Sequence, residues 1–309
     1  MNVLITIILP IFGVVALGFG ATFTRGFGTA AGQGLAAFVF NFALPLLLFQ
    51  KLSTSHLSAA GTGTFLLCYF AGAFLNGTIG FFLLPRLGVG ALDRRALLAF
   101  GASFSNIAIL GIPLALAAYG DRVALPLFTL LACHGMTFFS VVIPLVEAGR
   151  GEDVRLGGIL LKVVRGMAMN PIVVGLVTGL ALNLSGAALP TPLAGVVDLV
   201  AEAALPCALF SMGASLRAFG LRGVLPRAAL LAALKLLLQP LLVFTLAHLA
   251  GLDALWTKAA TLIAGLPTGI NVYLLAGRYR TAEGEIAAAI LLSTLFSLGT
   301  ITLLLLLLG

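Results

Sequence analysis

Polar side chains are rare in this chain, and two groups of them gather beside proline. Ser103, Ser105 and Asn106 precede Gly111-Ile112-Pro113, and Thr268 and Asn271 follow Gly265-Leu266-Pro267. Proline removes one N–H and clashes with the carbonyl four residues earlier. Pro113 is therefore expected to free the carbonyl of Ile109, and Pro267 that of Ile263. The glycine two residues before each proline lets the backbone bend further. Helical segments starting at Pro113 and Pro267 would present free N–H groups and a positive dipole end, which favour an anion. The freed carbonyls would suit a cation. Asparagine serves either, donating to a carboxylate or accepting from a cation. The plainer alternatives are a proline kink for the breaks and hydrogen-bond glue between helices for the asparagines.

A second set of residues carries charge into apolar sequence. Glu202 and Lys235 each sit about a half-span deep, and Asp198 lies one turn before Glu202. A lone charge in lipid is expensive and normally has a partner. Glu202 and Lys235 are expected to pair, or to line a wet cavity separately, with proton or ion coupling as their function and a structural ion pair as the alternative. Glu202 stands one turn before Pro206, as Asn41 stands one turn before Pro45. Gln239-Pro240 is assigned to the polar region of Lys235. His134 and His248 are expected to be buried and hydrogen bonded, and His56 solvated.

The elements that must position these residues are membrane helices. Of 309 residues, 61% are hydrophobic and 9% charged, against about 25% charged in a soluble domain. Continuous apolar runs do not alternate as a lipid-facing barrel would. The cysteines Cys68, Cys133 and Cys207 lack zinc-ligand spacing and read as small core residues. Ten spans are expected, at roughly 3–24, 31–50, 59–84, 96–118, 123–146, 158–183, 193–215, 226–250, 257–277 and 285–308. The first run has no preceding Lys or Arg and does not read as a cleavable signal peptide. Thirteen Lys and Arg fall in the odd-numbered loops and three in the even loops and outer ends, with Lys235 inside a span. This asymmetry places the odd loops in the cytoplasm and both termini outside. The net charge of +7 is then a topology signal rather than a nucleic-acid footprint.

The two halves resemble each other. Ala43 to Phe49 matches Ala204 to Phe210 at an offset of 161, and the same offset pairs Pro10 with Pro171 and Gly18 with Gly179. Gly111-Ile112-Pro113 matches Gly265-Leu266-Pro267 at an offset of 154, each with a tyrosine six residues past its proline, Tyr119 and Tyr273. Five spans per copy is an odd number, so the second copy must cross the membrane in the opposite sense. The expected organisation is a first repeat over 1–146, a cytoplasmic loop over 147–157 and an inverted repeat over 158–309. Inverted repeats with interrupted helices mark secondary transporters. Motifs of hydrolases and metalloproteases are missing from the sequence, so an enzyme is not expected. A channel is the other class compatible with paired broken helices, but inverted repeats are more typical of carriers.

Asn106-Ile107-Ala108-Ile109-Leu110-Gly111-Ile112-Pro113, followed by Tyr119-Gly120, resembles the fourth-span motif of the auxin efflux carrier family. Leu266-Pro267-Thr268-Gly269-Ile270, followed by Ala276 and Tyr279, resembles its ninth-span motif. The resemblance implies a fold like those of bile-acid/sodium symporters and sodium/proton antiporters, in which helices 4 and 9 are broken and cross at the substrate site. It implies a scaffold of helices 1, 2, 6 and 7, including Asn41, Pro45 and Pro206, and a transport domain of helices 3–5 and 8–10. By the same resemblance Asn106, Gly111, Pro113, Pro267, Thr268 and Asn271 fall at the crossing, the substrate is a small organic anion, and the scaffold helices can form a homodimer. The long loop of the plant carriers is replaced by about a dozen polar residues, which points to a compact bacterial-type member of the inner membrane. No cofactor is expected, and coupling to Na+ or H+ is left open. The rival reading is a sodium- or proton-coupled symporter of a larger amphipathic anion, such as a bile-acid-like sterol.

Overall fold

The computed structural model describes residues 4–55, 61–151, 165–166, 168–217, 219–221 and 223–308. His56, most of the expected loop over 147–157 and the start of the sixth span lie outside the described residues. Those described are helical, and their sole β-pairing is an isolated antiparallel bridge between Ser105 and Thr268. The helices are α1 (Leu9–Ala21), α2 (Thr29–Phe38), α3 (Leu44–Ser53), α4 (Thr62–Leu83), α5 (Leu92–Gly101), α6 (Ile112–Tyr119), α7 (Ala124–Gly149), α8 (Pro171–Ser185), α9 (Thr191–Glu202), α10 (Ala204–Leu216), α11 (Leu225–Ala233), α12 (Gln239–Leu249), α13 (Ala254–Ala264), α14 (Ile270–Tyr279) and α15 (Glu283–Leu308).

Six helical stretches are long and apolar enough to cross a membrane: Ala30–Ser53, Thr62–Leu87, Ile107–Gly149, Thr191–Leu216, Leu225–Leu249 and Glu283–Leu308. Two shorter apolar helices are Ile5–Ala21 and Pro171–Ser185. Helices α5, α13 and α14 have only 10, 11 and 10 residues. At 1.5 Å per residue each reaches about 15 Å, half of a bilayer core.

Local chemistry sets several of the boundaries. The Asn170 side chain accepts from the N–H of Ile172 at 2.9 Å, with Pro171 at the first helical position of α8. Asp253 caps α13 by accepting from Leu255 N–H at 2.9 Å. Gly186 ends α8 in the left-handed conformation at φ 66, which favours glycine.

Four prolines inside the apolar runs do not end their helices. Pro10, Pro45, Pro113 and Pro240 each follow a five-residue π-helical turn: Leu4–Ile8, Val39–Ala43, Ile107–Gly111 and Leu234–Leu238. In two of these turns the N–H before the proline bonds five residues back, from Leu44 to Val39 and from Gln239 to Leu234. Widening the turn moves the carbonyl away from the proline ring, so the helix continues with a bulge. This corrects the expectation that Pro113 starts a new segment. That segment starts at Ile107.

The chain divides into two compact units. Unit 1 comprises 1–59, 108–132 and 164–218, and unit 2 comprises 60–107, 133–163 and 219–309. Within unit 1, α1 packs on α10 and α3 packs on α8. Glycine permits both contacts. A Cβ on Gly18 would meet the Phe210 carbonyl oxygen at 2.0 Å, and one on Gly179 would meet that of Phe49 at 2.6 Å. Close backbone approach over small residues is how helices associate when lipid removes the hydrophobic drive. Within unit 2, α4 packs on α12, and α11 on α15.

Candidate functional site

Two breaks in unit 2 form the site. Residues 102–106 separate α5 from the segment beginning at Ile107, and residues 265–269 separate α13 from α14. The breaks pair with each other. Asn106 N–H donates to the Pro267 carbonyl at 2.9 Å, and Gly269 N–H donates to the Phe104 carbonyl at 2.9 Å. The bridge answers the question that any interrupted membrane helix poses, namely where its backbone groups find partners. Gly269 is required by the approach. A Cβ there would meet the Phe104 ring at 2.8 Å.

The carbonyls left at the ends of the two half-helices are served by side chains. Thr268 Oγ1 donates to Gly101 O at 2.9 Å, Asn76 Nδ2 to Ala102 O at 2.7 Å, and Gln239 Nε2 to Ser103 O at 3.0 Å. At the end of α13, Lys235 Nζ donates to Ala264 O. A cation at a helix C-terminus also meets the negative end of the dipole. Thr268 N–H donates to Ser293 Oγ at 3.1 Å, tying α15 to the bridge. On the other side, Tyr69 OH donates to Ser105 Oγ at 2.9 Å and lies 3.1 Å from His134 Nε2. His134 is buried against the Phe104 ring, centroid to centroid at 4.2 Å.

The structure therefore brings Asn106, Pro267 and Thr268 together, all buried. Gly111 and Pro113 are buried on the continuing helix, and that part of the chain belongs to unit 1. Asn271 is exposed on the first turn of α14. The Ile263 carbonyl, expected to be free, accepts from Leu266 N–H at 3.3 Å, and α14 starts at Ile270 rather than at Pro267. A proline helps to open the chain here, but bridge bonding uses the next residues and delays the new helix.

The charged set is arranged differently from the expected pair. Lys235 is fully buried in unit 2 and bonds a carbonyl rather than a carboxylate. Glu202 is exposed in unit 1, and Asp198 accepts from Gln50 Nε2. Asn41 is exposed and donates to Ala37 O of its own helix at 2.7 Å. Pro45 is buried beside Gly175, and Pro206 is exposed. His134 is buried and hydrogen bonded as expected, whereas His248, expected to be buried too, is exposed near the end of α12; Gln239 joins the polar region.

Sequence reading missed Tyr69, Asn76 and Ser293 as parts of this network. Their signal is a polar group inside an otherwise apolar helix, which in lipid needs a partner. It also missed the buried carboxylate of Glu285, which pairs with Arg94 and, at 3.1 Å, with Arg227.

Fold and site together define an all-helical integral membrane protein with two interrupted helices joined at their breaks. The chain belongs to the membrane transport protein family, whose model matches residues 3–305. This agrees with the auxin efflux carrier resemblance of the two break motifs. The chain is 29% identical over 298 residues to a protein of Rhizobium meliloti named "Putative malonate transporter", covering 96% of this chain and 93% of that one. It is 24% identical over 299 residues to a protein of Methanothermobacter thermautotrophicus named "Uncharacterized transporter", covering 96% and 95%. Family and relatives are transporters by name, not enzymes.

Proposed function

We propose that this protein is a secondary carrier of a small organic anion that works by alternating access. The observation that carries the reading is the antiparallel pairing of the two breaks through Asn106, Pro267, Phe104 and Gly269. With the half-helix carbonyls occupied by Thr268, Asn76, Gln239 and Lys235, the starts at Ile107 and Ile270 are the half-helix ends left to act on a substrate. Helix N-termini favour negative charge. Asn106 would contact the substrate at the bridge, with Thr268 and the exposed Asn271 beside it and Gly111 and Pro113 shaping the continuing helix. The malonate in the name of the Rhizobium meliloti relative belongs to the same chemical class, a small carboxylate.

The carrier would have ten spans as two inverted five-helix repeats. Supporting this, Gly18 faces Phe210 and Gly179 faces Phe49, and both residues of one contact are offset by 161 from those of the other. Such reciprocal contacts are what a two-fold relation between copies produces. Unit 1 would serve as the scaffold and the dimer face, and unit 2 as the transport domain. In this division the second half of span 4 and the start of α7 go with unit 1, although the family resemblance assigns them to the transport domain. Both termini would lie outside a bacterial inner membrane, by the Lys and Arg asymmetry. Glu202, Asp198 and Lys235 would tune coupling to protons or sodium.

Thermal stability of the purified protein against small carboxylates, with and without sodium, tests the reading. A ligand at 100 times its dissociation constant should add about 2.7 kcal/mol. Stabilisation of the wild type by one carboxylate, and much less of Asn106→Ala, is the expected result. Equal stabilisation of both would remove the site. A response only to an amphipathic sterol anion would transfer the assignment to the bile-acid-like symporter.

A further inference from the structure

An apolar cavity of about 290 Å³ lies within unit 2, between α4, α5 and the second half of α7. Phe74, Phe81, Phe100 and Phe138 form much of its wall, and Ser103 is at its polar end. Its rim includes Phe82 and Val141, which are 64% and 43% exposed, so it opens at the surface of the helices. In a membrane-spanning chain that surface meets lipid.

One charge faces this cavity's wall. The Arg95 guanidinium lies over the Phe81 ring at 4.4 Å. Its buried Nε has no hydrogen-bond partner among the described residues. The neighbouring Arg94 also has a buried Nε without a partner, but its terminal nitrogen pairs with Glu285. A guanidinium resting on an aromatic face still has its donors in plane, ready for an oxyanion. An aromatic-walled groove with a cation at its wall and an open rim fits an amphiphile: chain along the phenylalanines, anionic head toward Arg95.

We infer that this groove binds one acyl chain of an anionic phospholipid, with Arg95 holding the phosphate. The lipid's chain would fill the apolar space, and its phosphate would bond the terminal guanidinium nitrogens of Arg95, since the buried Nε is out of reach of an outside group. Arg95 stands at the start of α5, the helix that ends at the break, and Ser103 at the groove's far end carries the carbonyl bonded by Gln239. An occupied groove would brace α5 along its length, so bound lipid would regulate the motion of the break. The inference rests on the membrane fold and not on the identity of the transported anion.

The test is lipid retention by the full chain, read by native mass spectrometry after exchange into detergent with phosphatidylglycerol or phosphatidylcholine. The wild type should retain phosphatidylglycerol about fivefold better, the factor expected from one basic side chain near an anionic lipid. Arg95→Gln should lose the preference, and Arg95→Lys should restore part of it. Val141→Trp, at an exposed rim position, should reduce retention of both lipids without touching the charge. Equal retention of the two lipids by the wild type, or a preference unchanged in Arg95→Gln, would overturn the site and leave ordinary surrounding lipid. Displacement of phosphatidylglycerol by a free amphipathic anion that is also transported would overturn the choice of a phospholipid and make the groove a substrate site.

Discussion

The N–H of Asn106 donates to the carbonyl of Pro267 across 161 residues of chain. Proline cannot donate at that position, but its carbonyl is an ordinary acceptor, and the partner N–H belongs to the polar residue that opens the next helix. The bond and its companion from Gly269 to Phe104 hold the two breaks of unit 2 side by side.

Tyr69 links the bridge to α7 through Ser105 and His134. Tyr69→Phe removes one hydroxyl and leaves both partners buried with one bond fewer. Stability in detergent should fall by about 1–3 kcal/mol, the cost of leaving buried polar groups unsatisfied. Thermal melting checks it, with Tyr273→Phe, outside this network, as the control.

Lys235 satisfies the carbonyl at the end of α13. Lys235→Glu would set an acceptor against an acceptor and bury a new charge, at a cost of about 3–5 kcal/mol. Lys235→Met loses the donor but also removes a desolvated charge, and should cost less, about 1–3 kcal/mol. The expected order of melting temperatures is wild type, Met, Glu. A Glu variant as stable as the wild type would refute the assigned bond.

Gly18 and Gly179 should respond alike to substitution. In each, an added Cβ runs into a carbonyl oxygen, that of Phe210 or Phe49. Gly18→Ala and Gly179→Ala should each destabilise unit 1 by about 1–3 kcal/mol through overpacking. Gly13→Ala has open space around it and should be neutral or slightly stabilising. Melting curves of the three variants decide whether the two contacts are equivalent.

Glu285 is buried between two arginines, one of them 40% exposed. Glu285→Gln should cost roughly 1–3 kcal/mol, below the value for a fully buried pair because solvent screens part of the Arg94 contact. Arg227 also faces Glu285, so a charge swap would set two arginines together, and the test is a neutral double-variant cycle. Arg94→Gln with Glu285→Gln should cost less than the sum of the two single losses, and a strictly additive loss would refute the coupling.

Much of this protein follows from its residues without coordinates. A chain 61% hydrophobic, with most charges in short breaks and no alternating apolar pattern, can satisfy its backbone only as membrane helices. Paired Gly-x-Pro motifs with nearby asparagine and threonine announced the two breaks, because polar groups in apolar sequence need a reason. What local pattern could not supply was which residues each break uses. Proline signals trouble for an α-turn, yet at Pro45, Pro113 and Pro240 a π-turn absorbs it, and the helix goes on. The interruptions fall instead where a second strand of backbone is available to bond. The charge of Lys235 is visible in sequence and suggests a carboxylate partner or a wet cavity, whereas the free carbonyl of Ala264 exists only after α13 has ended beside it. Composition and spacing determined the membrane class and the breaking motifs. The partners, the helix starts and the burial of each polar group were decided by tertiary packing, since hydrogen bonds between residues far apart in the chain depend on which backbone groups the fold leaves open.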